Sequence, residues 1–259
     1  MPKFAANLSL MFTELDFLDR FAAARAHGFE AVEFLFPYAW PATQIAERLA
    51  RSDLQLVLHN LPAGDWAAGE RGLACDPARI DEFQDGVALA LDYAAVLGVR
   101  QLHCLAGITP PGVTPALAHA TYVANLRYAA ARLAERGLRL LIEPINTYDM
   151  PGYFLSGSAQ AAAVIAECGA ANLFLQYDIY HMQRMEGRLA DTIRTHFPLI
   201  KHIQLADVPG RHEPGSGTIA FPPLFALLDV LAYDGWVGCE YHPQGDTVAG
   251  LGWRDWAPA

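Results

Sequence analysis

At 259 residues, with 53% hydrophobic and 18% charged side chains, the chain is too apolar for a disordered protein. It is also long enough to bury a core without disulfides or structural metal. Twenty-eight acidic against eighteen basic side chains leave a formal net charge of −10, a field that repels phosphate backbones and disfavours nucleic acid as a partner.

Eight short apolar runs alternate with longer amphipathic segments. In chain order the predicted strands are Phe4–Leu10, Ala31–Phe36, Gln55–Leu61, Gln101–Ala106, Arg139–Ile145, Leu173–Ile179, Lys201–Ala206 and Trp236–Tyr241. Between them apolar residues recur at helical spacing, as in Phe83, Val87, Leu91 and Ala94, or Tyr122, Leu126, Ala129 and Leu133. Several of these segments end on glycine before the next strand, at Gly28, Gly98, Gly137 and Gly169. Parallel strands need long crossovers, and helices supply them. Eight such units in about 250 residues match a (β/α)8 TIM barrel. An open doubly wound sheet is the alternative, but no Gly-rich turn follows the first strand. With no linker or break in composition, the expectation is an α/β fold, a single barrel domain over 1–259. The long loops Pro62–Pro77, Gly107–Pro115 and Asn146–Ser158 follow strand ends, on the face where such barrels carry their sites.

The four cysteines (Cys75, Cys104, Cys168, Cys239) form no CxxC pair, so buried free thiols in a reducing compartment are expected. The opening MPKFAANLSLMF lacks a signal peptide's long apolar core, and no stretch reaches the ~18 apolar residues of a membrane span. A cytoplasmic protein without a membrane partner is the expectation. A monomer and a homo-oligomer both fit, and the Trp253–Trp256 tail is apolar enough to pack on the barrel or on a partner.

Alternation within the last four strands places polar residues on one face. Glu143 opposes Leu140 and Ile142; Gln176 and Asp178 oppose Leu175 and Tyr177; His202 and Gln204 oppose Ile203 and Leu205; Gly238, Glu240 and His242 oppose Val237 and Cys239. A barrel strand packs its apolar face on the helices and points the other inward. Glu143, Asp178, Gln204 and Glu240, about one βα unit apart, should therefore converge on adjacent strands. Three carboxylates in one space repel, and a divalent cation is the cheapest relief. Oxygen donors suit Mg²⁺ or Mn²⁺ better than Zn²⁺.

The segments AVEFLFPY, LHNLPAGDWAAGERGLAC, LLIEPIN, QYDIYHMQRMEG, HIQLADVPGRHEPGSG and WVGCEYHP resemble the hydroxypyruvate isomerases of the xylose-isomerase-like barrel superfamily, nearly end to end. The resemblance implies that Glu143, Asp178, Gln204 and Glu240 bind the metal, with Glu143 and Glu240 as the acid–base pair. It implies interconversion of hydroxypyruvate and tartronate semialdehyde through an enediolate. In several related sugar isomerases and epimerases the third ligand is His where this chain has Gln204. His181 resembles a histidine that contacts substrate oxygens in related epimerases. Arg211 is a candidate grip for the small anionic hydroxy or oxo acid, since Arg can hold a carboxylate with two hydrogen bonds. His59 and Glu70 are further candidates for substrate contact, with loop bracing as the other reading, and His242 is expected to line the pocket. The nearest alternative is a 2-oxotetronate isomerase; a metal-dependent DNA-repair barrel and a non-catalytic small-acid binding protein are more distant. Two motifs are set aside. Gly215-Ser216-Gly217-Thr218-Ile219-Ala220 fits GxGxxA but lies late in the chain, where anion binding in the loop after strand seven is the remaining use. Asn7-Leu8-Ser9 spells a glycosylation sequon inside a predicted strand.

Overall fold

Parallel pairing joins each strand to the next and the eighth back to the first, closing a barrel in simple chain order. The computed structural model describes residues 2–256, so Met1 and residues 257–259 lie outside the described residues. The strands are β1 (Lys3–Asn7), β2 (Ala31–Glu33), β3 (Gln55–Asn60), β4 (Gln101–Cys104), β5 (Arg139–Ile142), β6 (Leu173–Asp178), β7 (Ile200–Leu205) and β8 (Trp236–Cys239). Around them run α1 (Arg20–Ala26), α2 (Ala42–Ser52), α3 (Ile80–Leu97), α4 (Pro115–Ala134), α5 (Ser158–Cys168), α6 (Ile179–Met185), α7 (Leu189–His196) and α8 (Phe221–Val230). No helix among the described residues is long and apolar enough to cross a membrane.

All eight expected strands are present, but several stop up to three residues early. Their ends are where side chains compete for the backbone. Asn7 closes β1 because its carbonyl accepts from Leu10 N and Met11 N while its Oδ1 accepts from Ser9 N at 3.0 Å. Pro144 follows β5 with no N–H to give the ladder. The helix ends obey ordinary capping: Thr114 accepts from Leu117 N ahead of Pro115, and Gly98 and Gly169 take left-handed conformations after α3 and α5.

The strands divide their residues between two environments. Leu140, Ile142, Leu175, Tyr177, Ile203, Leu205, Val237 and Cys239 join the helices in the main core. Inside the barrel a smaller apolar floor forms from Ala5, Ala31, Val57, Leu58 and Leu141. Polar residues stand above that floor. The four cysteines are free and buried, and burial pushes their thiols up. Trp253 is also buried, edge-on to Phe4 at 4.9 Å and donating to Tyr241 Oη, so the tail packs on the barrel at that residue.

The loop after β7 carries Arg211 and is pinned by one buried carboxylate. Asp207 Oδ1 accepts from Val208 N (2.8 Å) and Ile219 N (3.0 Å), and its Oδ2 accepts from Gly215 N (3.0 Å) and Gly217 N (2.9 Å). The Gly215 and Gly217 amides are therefore taken by the protein's own carboxyl group, and the Ser216 amide by Glu213 O, which replaces the reading of this segment as a ligand loop. Gly217 is required for the approach, because a Cβ there would collide with the Val208 carbonyl. Charge-assisted bonds are worth roughly 1.5–3 kcal/mol each. Asp207→Ala should lower the unfolding free energy by about 3 kcal/mol or more, read by urea denaturation; wild-type stability would show that the loop is held elsewhere.

Candidate active site

The inward positions near the C-terminal strand ends form a buried polar layer: Asn7, Glu33, Asn60, His103, Glu143, Gln176, Asp178, His202, Gln204 and Glu240. Parallel register sets Asp178 level with Gln204, and Gln204 level with Gly238, two residues before Glu240. Above this layer opens a cavity of about 230 Å³, walled by polar Asn60, His103, Glu143, His181, Arg211, Glu240 and His242 and by apolar Leu10, Leu35, Trp66, Leu105, Ile145 and Met150. A larger concavity at the other barrel mouth, about 330 Å³ and edged by Lys3, Arg100, Arg139 and Lys201, has no ligating cluster among the described residues.

Glu143, Asp178, His181 and Glu240 place one ligating atom each within 4.8 Å of one another, all buried. Asp178 divides its carboxylate between two tasks. Oδ1 caps α6 by accepting from Tyr180 N at 2.7 Å, and Oδ2 has no hydrogen-bond partner among the described residues. Glu143 Oε1 is likewise unpartnered, while its Oε2 accepts from Gln176 Nε2 at 3.1 Å. Unpartnered buried carboxylate oxygens are costly, roughly 1–3 kcal/mol or more each, unless something else satisfies them. Their convergence fits a hard cation with oxygen ligands.

His181 comes to this cluster in a defined tautomer. Asn146 Oδ1 accepts from Tyr148 N and Asp149 N, so its Nδ2 must donate, and it does so to Asp149 Oδ2 and to His181 Nδ1 at 2.7 Å. Nδ1 is then the acceptor and Nε2 carries the proton, facing Asp178 Oδ2 (3.6 Å) and Glu143 Oε1 (3.8 Å), so the 3.5 Å approach of Arg211 Nη2 to Nε2 brings two donors together and is no hydrogen bond. A protonated Nε2 donates to oxygen and does not ligate a metal. Burial, then Arg211, holds His181 well below the usual imidazole range and keeps it neutral.

Arg211 sits with φ +57°, its N–H donating to Asp207 O at 2.9 Å, so the pinned loop holds this uncommon conformation. Its Nη2 lies 2.6 Å from Glu240 Oε2 and 3.8 Å from Asp178 Oδ2, with the guanidinium over the Tyr180 ring. Its Nε has no hydrogen-bond partner among the described residues. Even beside this cation, burial dominates the carboxyls. Glu240 is pushed up to about 8 by burial, which outweighs Arg211. Burial, then Glu240 and Asp178, raises Glu143 well above its ordinary range, and burial raises Asp178.

Two expected residues lie elsewhere. His59 and Asn60 are neighbours on a strand and point to opposite faces, so only one can reach the cavity. Asn60 does; His59 is turned toward Phe34 and Tyr38, and burial lowers it to about 4. Glu70 is not in the cavity wall: its carboxylate pairs with Arg79 and accepts from Asp65 N, which makes it a loop brace. From the same loop Trp66 reaches the wall, with Arg71 over its ring at 4.1 Å. Gln204 is in the layer, but its Oε1 accepts from Gln176 Nε2 at 2.6 Å and its Nε2 donates to Glu33 at 2.7 Å. Sequence reasoning missed His103, Asn7 and Glu33. The same alternation marks them, in the first four strands.

Residues 21–255 match the family described as the xylose isomerase-like TIM barrel. The chain is 52% identical over 255 residues to the hydroxypyruvate isomerase of Escherichia coli K12, spanning 98% of this chain and 99% of that one. It is 51% identical over 253 residues to a 2-oxo-tetronate isomerase of Cupriavidus necator, spanning 98% and 97%. A solved structure described as an AP endonuclease, family 2, from Brucella melitensis is similar with a TM-score of 0.96 at 47% identity, over 98% of both chains.

The raised carboxyls fix a pH dependence. Glu240 gains a proton affinity on folding, so between the ordinary carboxylate range and about 8 the folded state binds more protons and loses stability as pH rises. Glu240→Gln removes that contribution. Calorimetry in EDTA from pH 5 to 8 should show wild type losing Tm relative to Glu240→Gln, with added divalent cation reversing the loss at pH 8. Parallel curves would show that Glu240 titrates normally.

Proposed function

The chain belongs to the xylose isomerase-like TIM barrel family, and we propose that it is an isomerase interconverting hydroxypyruvate and tartronate semialdehyde. The observation that carries this reading is the pair Glu143 and Glu240, two buried glutamates just past the ends of β5 and β8 whose near oxygens lie within 4.8 Å of each other at a small cavity. A cavity of about 230 Å³ equals roughly seven or eight waters of liquid volume, the scale of a small hydroxy or oxo acid. The 2-oxo-tetronate isomerase relative makes the four-carbon acid the second substrate to test. DNA is a poor fit: the net charge is −10 and the reactive groups are buried.

Isomerisation moves a hydrogen between adjacent carbons while carbonyl and hydroxyl exchange places. In the proposed path one glutamate removes the proton from the hydroxymethyl carbon, leaving an enediolate; the other mediates protonation of the former carbonyl carbon, and the hydroxyl proton passes from the oxygen that becomes the aldehyde to the oxygen that becomes the hydroxyl. Burial raises the proton affinity of both, Glu240 to about 8 and Glu143 well above its ordinary range, which suits them to hold and pass on a proton. His181 Nε2–H donates to the oxygen on which negative charge grows. Arg211, with Nε free, offers the substrate carboxylate a partner while its Nη2 orients Glu240. Glu143, Asp178 and Glu240 would hold a divalent cation, Mg²⁺ or Mn²⁺, with Gln204 Oε1, which keeps a second lone pair, as the fourth expected donor. Bound there, such an ion supplies carbonyl polarisation and neutralises the clustered acids.

Turnover of hydroxypyruvate and 2-oxotetronate, compared in EDTA and with added Mg²⁺ or Mn²⁺, tests the assignment directly. Activity on hydroxypyruvate that returns with metal is expected; turnover of neither acid would end the reading. Glu143→Gln and Glu240→Gln should each lower kcat by about 10²–10⁴-fold while staying folded. In D₂O, deuterium should enter the product at the carbon that gains hydrogen, and product free of deuterium would point to a hydride shift.

A further inference from the structure

Beneath the cavity lies a carboxyl group that this chemistry does not use. Glu33, the last residue of β2, is fully buried, does not line the cavity and is absent from the metal-holding cluster. The barrel makes room for it, because Gly238 of β8 faces it and a Cβ there would collide with both carboxylate oxygens. Burying a carboxylate is expensive unless donors surround it. Three do: His202 Nε2 at 2.6 Å from Oε2, and Gln204 Nε2 at 2.7 Å and Asn7 Nδ2 at 3.0 Å from Oε1.

Two of these donors pass a direction onward. A carboxylate accepts and cannot donate, so Gln204 must turn its NH₂ to Glu33 and its carbonyl away. That carbonyl accepts from Gln176 Nε2 at 2.6 Å, and the same Gln176 nitrogen donates to Glu143 Oε2 at 3.1 Å. The other arm is a single residue. Asn7 Oδ1 is taken by Ser9 N, leaving Nδ2 to donate to Glu33 and, at 3.4 Å, to Glu240 Oε1. Each arm ends as an N–H on one oxygen of a glutamate. The remaining oxygens are Glu143 Oε1, unpartnered in the protein, and Glu240 Oε2, beside Arg211.

We infer that Glu33 is a positioning residue: it sets the hydrogen-bond polarity of Glu143 through Gln204 and Gln176, and it anchors the Asn7 NH₂, whose direction Ser9 N fixes, so that its other N–H meets Glu240. The inference rests on the roles proposed above for Glu143 and Glu240. What Glu33 supplies is an acceptor at the root of both arms, not charge as such. Glu33→Gln keeps a carbonyl oxygen there and can give its NH₂ to His202, whose Nδ1 has no partner. Glu33→Met fills the space but removes the acceptor.

The test measures Mn²⁺ affinity by titration calorimetry alongside kcat and KM on hydroxypyruvate, with folding checked by circular dichroism. Glu33→Met should lose about 10–100-fold in Mn²⁺ affinity and in kcat, with KM little changed, whereas Glu33→Gln should stay near wild type. Gln176→Met and Asn7→Leu each cut one arm and should show smaller losses of the same kind. If Glu33→Met fails to fold, those two decide, since both keep Glu33. Wild-type Mn²⁺ affinity and kcat in folded Glu33→Met, or in both single-arm variants, would overturn the inference. So would Glu33→Gln falling as far as Glu33→Met. A wild-type protein that turns over neither acid would remove the functional reading, and the Mn²⁺ affinities would still decide the role of Glu33.

Discussion

Three carboxyl groups share a few ångströms of buried space at the top of the barrel, and the neighbouring structure is arranged around that repulsion. Burial raises Glu143, Asp178 and Glu240 together, and the Arg211 guanidinium beside them is not enough to reverse it. Desolvation and like charge make these groups reluctant to ionise, and the same two effects make them receptive to a cation or a migrating proton. Packing alone would not favour such a cluster. Its acids are tolerable because each has one oxygen satisfied: Asp178 by the start of α6, Glu143 by Gln176, Glu240 by Arg211.

The barrel meets this demand by keeping its two cores apart. Outward side chains of the strands fuse with the helices, and the apolar floor inside is small, built partly from alanine. Polar side chains are stacked on that floor at the strand ends, where the ladder stops and loops take over. The loops differ in how firmly they hold their residues. Arg211 stands on a segment fastened from within by Asp207, while Trp66 comes from a loop braced nearer the surface by Glu70 and Arg79.

Legibility in the sequence followed periodicity. A strict two-residue repeat in β5 to β8 was enough to put Glu143, Asp178 and Glu240 on one interior face, and closure of the barrel made them neighbours. The same repeat carries Asn7, Glu33 and His103, but their strands contain fewer acids, and no carboxylate cluster draws attention to them. His59 was misplaced because two adjacent polar residues end β3 and parity alone does not say which faces in; the bulge between Val32 and Glu33 on the neighbouring pair blurs it further. Glu70 and Trp66 lie in a loop without period. Their positions depend on partners such as Arg79 and Arg71, which no spacing rule links to them. The tautomer of His181 was also out of reach, since it depends on Asn146 and two backbone amides from another loop.

The self-supplied counter-anion after β7 has an evolutionary side. Glycine-flanked amides at this end of a barrel are the usual receptor for a phosphoryl group, and here that berth is already filled by Asp207 from the same segment. A lineage exploring phosphorylated metabolites on this scaffold would first have to vacate it, surrendering loop rigidity before any new guest could repay the loss. The amides such a guest would need are held by one interior aspartate, away from the cavity wall.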